Sequence, residues 1–177
     1  LGLCYETLYL FDPLTGEYIP WLAENGAWIA DNIYELQLRE GITWQDGETF
    51  DANDVVFTFE LGQMEAVYYN PLWDWLASVE ATDDYTVQFT FDEPLYQEWG
   101  NLLYSMAMLP QHLWESRSEE QVALGANENP VGTGPYVYGT HAQDRMVWQK
   151  NPNWWATDLL GLDVAPTRIV DIVNSSN

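Results

Sequence analysis

Cysteine is almost missing from this 177-residue chain, with Cys4 the one such residue. That excludes an internal disulfide and any multi-cysteine zinc site. Cys4 follows Leu-Gly-Leu, and three residues hold neither the charged nor the apolar region of a lipid-attachment signal, so it reads as a small buried side chain. Cations are also scarce: 5 lysines and arginines stand against 28 aspartates and glutamates, and Lys150 is the sole lysine. A net charge of −23 leaves no basic stripe for a phosphate backbone, so nucleic acid is excluded as a partner. No run approaches the ~20 apolar residues of a membrane span, and this segment is not expected to insert into a bilayer.

Catalytic signatures are missing as well. His112 begins a helix, His141 lies in a polar loop, and both read as structural or surface groups. No nucleophile elbow, Walker loop, zinc-helix motif or dinucleotide glycine pattern occurs. Gly132-Thr133-Gly134 lacks the lysine and third glycine of a phosphate loop. The acids of Asp46–Asp54 lack glycine at the sixth place of a calcium loop. No metal, no cofactor and no enzymatic activity are expected.

Aromatic side chains are abundant: 10 Trp, 11 Tyr and 6 Phe make up 15% of the chain. Their flat apolar faces and polar handles suit ligand walls and interfaces. With 47% hydrophobic and 19% charged residues, the chain also has the means to bury a core.

The local patterns predict an α+β unit with a mixed or antiparallel sheet and flanking helices. Asp12-Pro13-Leu14-Thr15-Gly16 is a reversal after the apolar stretch Leu3–Phe11. Ile33–Leu38 and Thr86–Phe91 alternate as strands, Ser78–Ala81 precedes the Asp83-Asp84 turn, and Gly41–Trp44 reads as a short strand. Asp51 with Asp54 predicts a capped helix over 51–66, with Val56, Phe57 and Phe59 mostly buried. Helices are expected at Tyr96–Tyr104 and from Pro110 to Trp114, with one helical turn within the polar stretch 116–129. Pro130–Tyr136 is a stiff crossing, and Val137–Gly139, Arg145–Gln149 and Ile169–Val173 read as strands. Asn174-Ser175-Ser176 matches a glycosylation sequon in a polar tail. The first residue is Leu and the chain opens in apolar sequence, as expected of a piece of something longer.

Ordered strings carry a family resemblance. They run from Tyr5-Glu6-Thr7-Leu8 and Pro20-Trp21-Leu22-Ala23-Glu24 through Leu38-Arg39-Glu40-Gly41-Ile42-Thr43-Trp44-Gln45-Asp46-Gly47 to Asp51–Phe59. Asp83-Asp84-Tyr85-Thr86-Val87, Leu109–Trp114, Asn129–Tyr136 and Asn151-Pro152-Asn153-Trp154-Trp155 follow. In these the chain resembles extracellular solute-binding protein family 5, the oligopeptide, dipeptide and nickel class of ABC-importer receptors.

The resemblance implies part of a periplasmic-binding-protein type II-like two-lobe fold. Residues 1–129 would be a small domain inserted in the first lobe, 130–177 the return strands of that lobe, and the second lobe would lie outside the chain. It implies an extracytoplasmic protein, in the periplasm or at the cell surface, anchored by lipid through a segment outside these residues. Its partners would be a small solute and the ABC permease.

The Trp-rich departures at Pro71-Leu72-Trp73-Asp74-Trp75 and Trp154-Trp155-Ala156 resemble the subgroup that imports cello- or manno-oligosaccharides. An oligopeptide or dipeptide ligand is the alternative, and a secreted glycan-active enzyme module a remote one. Trp73, Trp75 and Trp154 are the candidate sugar platforms, while Trp44 and Trp114 fall inside packing motifs.

Overall fold

The computed structural model describes residues 2–93, 99–125, 127–142 and 145–172. Three antiparallel sheets organise them. A hairpin joins β1 (Tyr9–Asp12) to β2 (Glu17–Pro20) through the expected reversal. Leu14 stands at its tip, and Gly16 supplies the positive φ of 75° that closes the turn.

The central sheet has the order β3-β4-β6-β5, from Ala23–Ala30, Ile33–Leu38, Thr86–Phe91 and Leu76–Asp83 respectively. Alternation puts Tyr34, Leu36 and Leu38 on one face of β4, opposite Val87, Phe89 and Phe91 of β6. Trp99 packs edge-on against Phe89, Phe91 and Tyr34, and Phe59 meets Phe89 at 4.8 Å. Full burial of each such ring is worth about 1.5–3 kcal/mol.

Helix α1 (Ala52–Glu60) packs on this sheet. Its start is as expected: the Asp51 carboxylate accepts from Asn53 N–H at 2.8 Å, and Asp54 reaches back to Asp51 N–H at 3.2 Å. Its end is not. The helix stops at Glu60, short of residue 66, and passes into a 3-10 turn at Leu61–Gln63. Two side chains capture its last carbonyls. The Tyr69 hydroxyl donates to Thr58 C=O at 2.6 Å, and the Trp73 indole donates to Phe59 C=O at 3.0 Å. Tyr69 can close in because Gly62 has no Cβ, which would lie 2.7 Å from its ring. Phe59 is buried, and Val56 and Phe57 are mostly so, as expected, the latter two at the margin of the stripe that α1 lays on the sheet.

Replacing Asp51 with alanine removes one half of this cap. We expect a loss of about 1 kcal/mol in unfolding free energy, read by chemical denaturation.

Helices α2 (Trp99–Ser105), α3 (Gln111–Trp114) and α4 (Glu119–Ala123) follow, and α4 is the helical turn expected in the polar stretch. The strand expected at 41–44 is a single Thr43–Thr49 bridge around the Asp46-Gly47 turn. The last sheet is β7-β8-β9, from Tyr136–Ala142, Arg145–Lys150 and Arg168–Ile172. Between β8 and β9 lies α5 (Trp155–Leu160), closed by Gly161 at φ 67°. Pro94, the start of the 96–104 helix, Val173 and the 174–176 sequon lie outside the described residues.

The crossing at 130–136 is stiff for a visible reason. Gly134 N–H donates to Cys4 C=O, and Tyr136 N–H to Leu3 C=O, each at 2.8 Å. A Cβ at Gly132 would lie 1.9 Å from the Cys4 carbonyl oxygen, so only glycine permits this approach. Gln45 ties the two together: its Nε2 donates to Gly134 C=O and Tyr136 C=O at 3.0 and 2.9 Å. Its Oε1 accepts from Gly132 N–H at 3.3 Å and from the Cys4 thiol at 3.5 Å. Cys4 is buried, as expected, and that burial pushes its thiol up to about 12.

Candidate functional site

A cleft of about 700 Å³ opens beside the β1–β2 hairpin. Tyr5, Glu6, Phe11, Trp21, Tyr104 and Trp154 are among its lining residues. The apolar N-terminal stretch delivers Tyr5 and Glu6, β1 delivers Phe11, and the turn after β2 delivers Trp21. Tyr104 comes from α2, and Trp154 from the residue preceding α5.

One of the lining groups is a carboxyl caged by indoles. Glu6 Oε1 accepts from Trp21 Nε1 at 3.0 Å and Trp154 Nε1 at 3.2 Å, while Oε2 accepts from Trp155 Nε1 at 2.8 Å. Glu6 is only 6% exposed. Burial raises its pKa, and the N–H groups of Trp155, Trp21 and Trp154 work against that rise. The buried Thr133 hydroxyl also favours the charged form, without closing a hydrogen bond of good geometry. The rings pack on one another as well: Trp21 meets Trp155 edge-on at 5.1 Å and Trp154 at 6.1 Å. Arg39 braces this group from behind, donating to Trp21 C=O at 3.1 Å, with its guanidinium 5.9 Å from the Trp155 ring centre.

A second aromatic group forms the other wall. Phe11 stacks on Tyr104 at 5.3 Å, and Tyr18 meets both rings at 5.4 and 5.5 Å. Tyr18 donates to Asn101 Oδ1 at 2.7 Å and lies over Gly100, where a Cβ would stand 2.6 Å from its ring. Phe11 is 41% exposed, so this ring is presented rather than packed away.

The three expected platforms separate. Trp154 lies in the cleft, with most of its surface buried against Glu6 and Trp21. Trp73 and Trp75 do not line it. Both are half-buried against the core on the 3-10 turn at Asn70–Asp74 and just after it, with Trp73 held as the cap of α1. Trp44 and Trp114 are buried, in keeping with their packing motifs.

Glu6 and Trp21 were not singled out by sequence reasoning. Glu6 is one carboxylate among 28 acids, and its partners lie 15, 148 and 149 residues away. The available signal was a lone acid inside the apolar stretch Leu3–Phe11.

Elsewhere, the second buried carboxylate, Asp54, accepts from Trp44 Nε1 at 3.0 Å and Gln111 N–H at 2.8 Å. It is an architectural tie between α1 and α3. His112 Nε2 pairs with Asp46 Oδ2 at 2.8 Å at the surface, a structural role of the kind expected. Among the described residues no group of three or more His, Cys, Asp and Glu is placed to hold a metal ion. No helix among them is long and apolar enough to cross a membrane.

Known proteins share this arrangement of elements. The mannohexaose-bound oligopeptide ABC transporter periplasmic oligopeptide-binding protein of Thermotoga maritima is 48% identical, with a TM-score of 0.94, over 99% of this chain and 33% of its own. The oligopeptide-binding protein AppA of Bacillus subtilis, in complex with a nonapeptide, is 25% identical, with a TM-score of 0.75, over 86% of this chain and 31% of its own. The peptidoglycan-binding protein YepA of Agrobacterium fabrum is 31% identical over 144 residues, 79% of this chain and 23% of that protein. The chain thus spans about a third or less of the length of these relatives. Its fold is the α+β architecture of periplasmic-binding-protein type II-like receptors. The family model for the bacterial extracellular solute-binding proteins, family 5 Middle, matches residues 17–172, and the chain belongs to that family.

Proposed function

We propose that the protein is part of the receptor of an ABC importer that captures an extracellular oligosaccharide of the manno- or cello- type and hands it to the permease. The observation that carries this reading is the lining of the cleft: five aromatic side chains, one carboxyl group, and no lysine or arginine among its described lining residues. Sugar rings present apolar C–H faces to aromatic planes and hydroxyls to an acceptor. The mannohexaose carried by the Thermotoga relative supports the same chemistry.

A peptide ligand is the second reading, favoured by the nonapeptide in the Bacillus relative. A peptide carboxylate wants a cationic partner, and the described lining residues include no lysine or arginine. A glycan hydrolase reading asks for a carboxylate pair about 5–9.5 Å apart, whereas Glu6 is the one carboxylate among the described lining residues.

In this reading Trp21 and Trp154 form one wall and Phe11 with Tyr104 the other. Trp73 and Trp75 have half-exposed indoles in their favour as platforms and their distance from the cleft against it. The division into an inserted unit at 1–129 and return strands at 130–177 is supported by the pairing of Leu3 and Cys4 with Gly134 and Tyr136, which brings the two junctions together. The exposed apolar side chains of the hairpin, Leu10, Phe11, Leu14 and Ile19, suit a surface that meets ligand or a facing lobe. Location outside the cytoplasm, with a lipid anchor elsewhere in the protein, belongs to the same reading.

A thermal-shift panel on the full-length protein tests it. Cello- and manno-oligosaccharides should raise the melting temperature, by mass action worth about 2.7 kcal/mol at a hundredfold excess over Kd. A rise with short peptides and none with sugars overturns the oligosaccharide reading.

A further inference from the structure

Glu6 lines the cleft as an anion whose partners are dipoles. Three indole N–H groups converge on its two oxygens. Three N–H donors on two oxygens favour the carboxylate and work against the rise in pKa that burial imposes. Indole N–H groups satisfy the lone pairs of an anion without cancelling its charge. Arg39 lies against the Trp155 ring, and its Nε hydrogen bond goes to the Trp21 carbonyl. The charge of Glu6 is therefore felt in a cleft walled by low-dielectric rings, where its interactions exceed their value in water.

We propose that Glu6 is the specificity-determining group of this cleft, admitting neutral polyhydroxylated ligands and rejecting those that carry carboxylates, oligouronates above all. The proposal rests on the oligosaccharide reading and deepens it. A sugar hydroxyl donates to the remaining acceptor capacity of the carboxylate. A uronate in the same place brings like charges together, which lowers its affinity.

The net charge of −23 also repels anions, but from the surface and through solvent. Salt separates the two effects, because the screening length falls from about 8 Å at physiological ionic strength to about 3 Å at 1 M, whereas a buried charge is screened far less.

The experiment is calorimetry on the full-length protein with mannohexaose, with hexamannuronate, which has carboxylates in place of the C6 hydroxymethyl groups, and with the neutral methyl ester of hexamannuronate. Wild type should prefer mannohexaose over hexamannuronate by about a hundredfold or more, at both low and high salt. The methyl ester should recover most of the lost affinity, and Glu6→Gln should shrink the preference at least tenfold.

The proposal is overturned if the preference vanishes in wild type at high salt, if the ester is rejected as strongly as the acid, or if Glu6→Gln keeps the full preference. The salt and ester arms use wild type only, so either can overturn the proposal even where Glu6→Gln fails to fold. Sugar binding without discrimination overturns this proposal alone. Binding of peptides and of no sugar overturns the oligosaccharide reading and this proposal with it.

Discussion

Replacing Gln45 with alanine should cost the full-length protein roughly 2–4 kcal/mol of stability, a large effect for one half-buried polar side chain. The side chain holds the crossing strand to the N-terminal stretch through four hydrogen bonds. Gly134 C=O keeps a second donor, Asn151 Nδ2 at 3.2 Å. The loss therefore concentrates on Gly132 N–H and Tyr136 C=O, both on buried residues. Water cannot easily replace the amide there, because Gly132 and Cys4 are already in backbone contact. Gln45→Glu should be at least as damaging, since it aims a carboxylate oxygen at two carbonyls. Chemical denaturation measures both variants, and a loss below about 1 kcal/mol for Gln45→Ala would mean that the backbone pairs alone hold the crossing.

Replacing Trp21 with alanine should weaken oligosaccharide binding by about 1–3 kcal/mol, or roughly fivefold to 150-fold in Kd. Trp21 is half-buried, lines the cleft and supports both neighbouring indoles. Its loss removes a sugar-facing plane and loosens the ring beside it. Trp21→Phe separates the two contributions of the residue. It keeps an aromatic face but gives up the N–H donated to Glu6, so binding should fall by less than in the alanine variant. Calorimetry with mannohexaose on both variants is the measurement. Equal affinity for wild type and Trp21→Ala would remove this wall from the site.

The parts of the fold written in local pattern were legible. The Asp51–Asp54 cap, the alternation of Ile33–Leu38 and Thr86–Phe91 and the Asp12–Gly16 reversal each depend on neighbours within a few residues. The missed elements depend on distant partners. Strand β3 contains Asn25-Gly26, which reads as a loop, yet Gly26 is needed because the Tyr34 ring of β4 lies over it, 2.3 Å from where a Cβ would be. The end of α1 was misplaced because the side chains that cap it come from residues 69 and 73.

The site follows the same division. Trp154 stood out as part of a tryptophan-rich string, whereas Glu6 acquires its role only when Trp21, Trp154 and Trp155 fold onto it. Nothing in the spacing of a lone acid announces three indoles arriving from two other segments.

The backbone pairing of Leu3 and Cys4 with Gly134 and Tyr136 also bears on how such receptors diversify. Whatever lies between those two points leaves and rejoins the rest of the molecule through one doorway, with Gln45 as its latch. A stretch joined in this way can be exchanged between related receptors at two neighbouring splice points without re-registering a sheet on either side. The hairpin and the Phe11–Tyr104 wall would travel with it, while Trp154 and Trp155 stay behind. Each exchange would thus pair a new set of aromatic faces with a fixed indole pair, a recombination of half-sites open to direct construction.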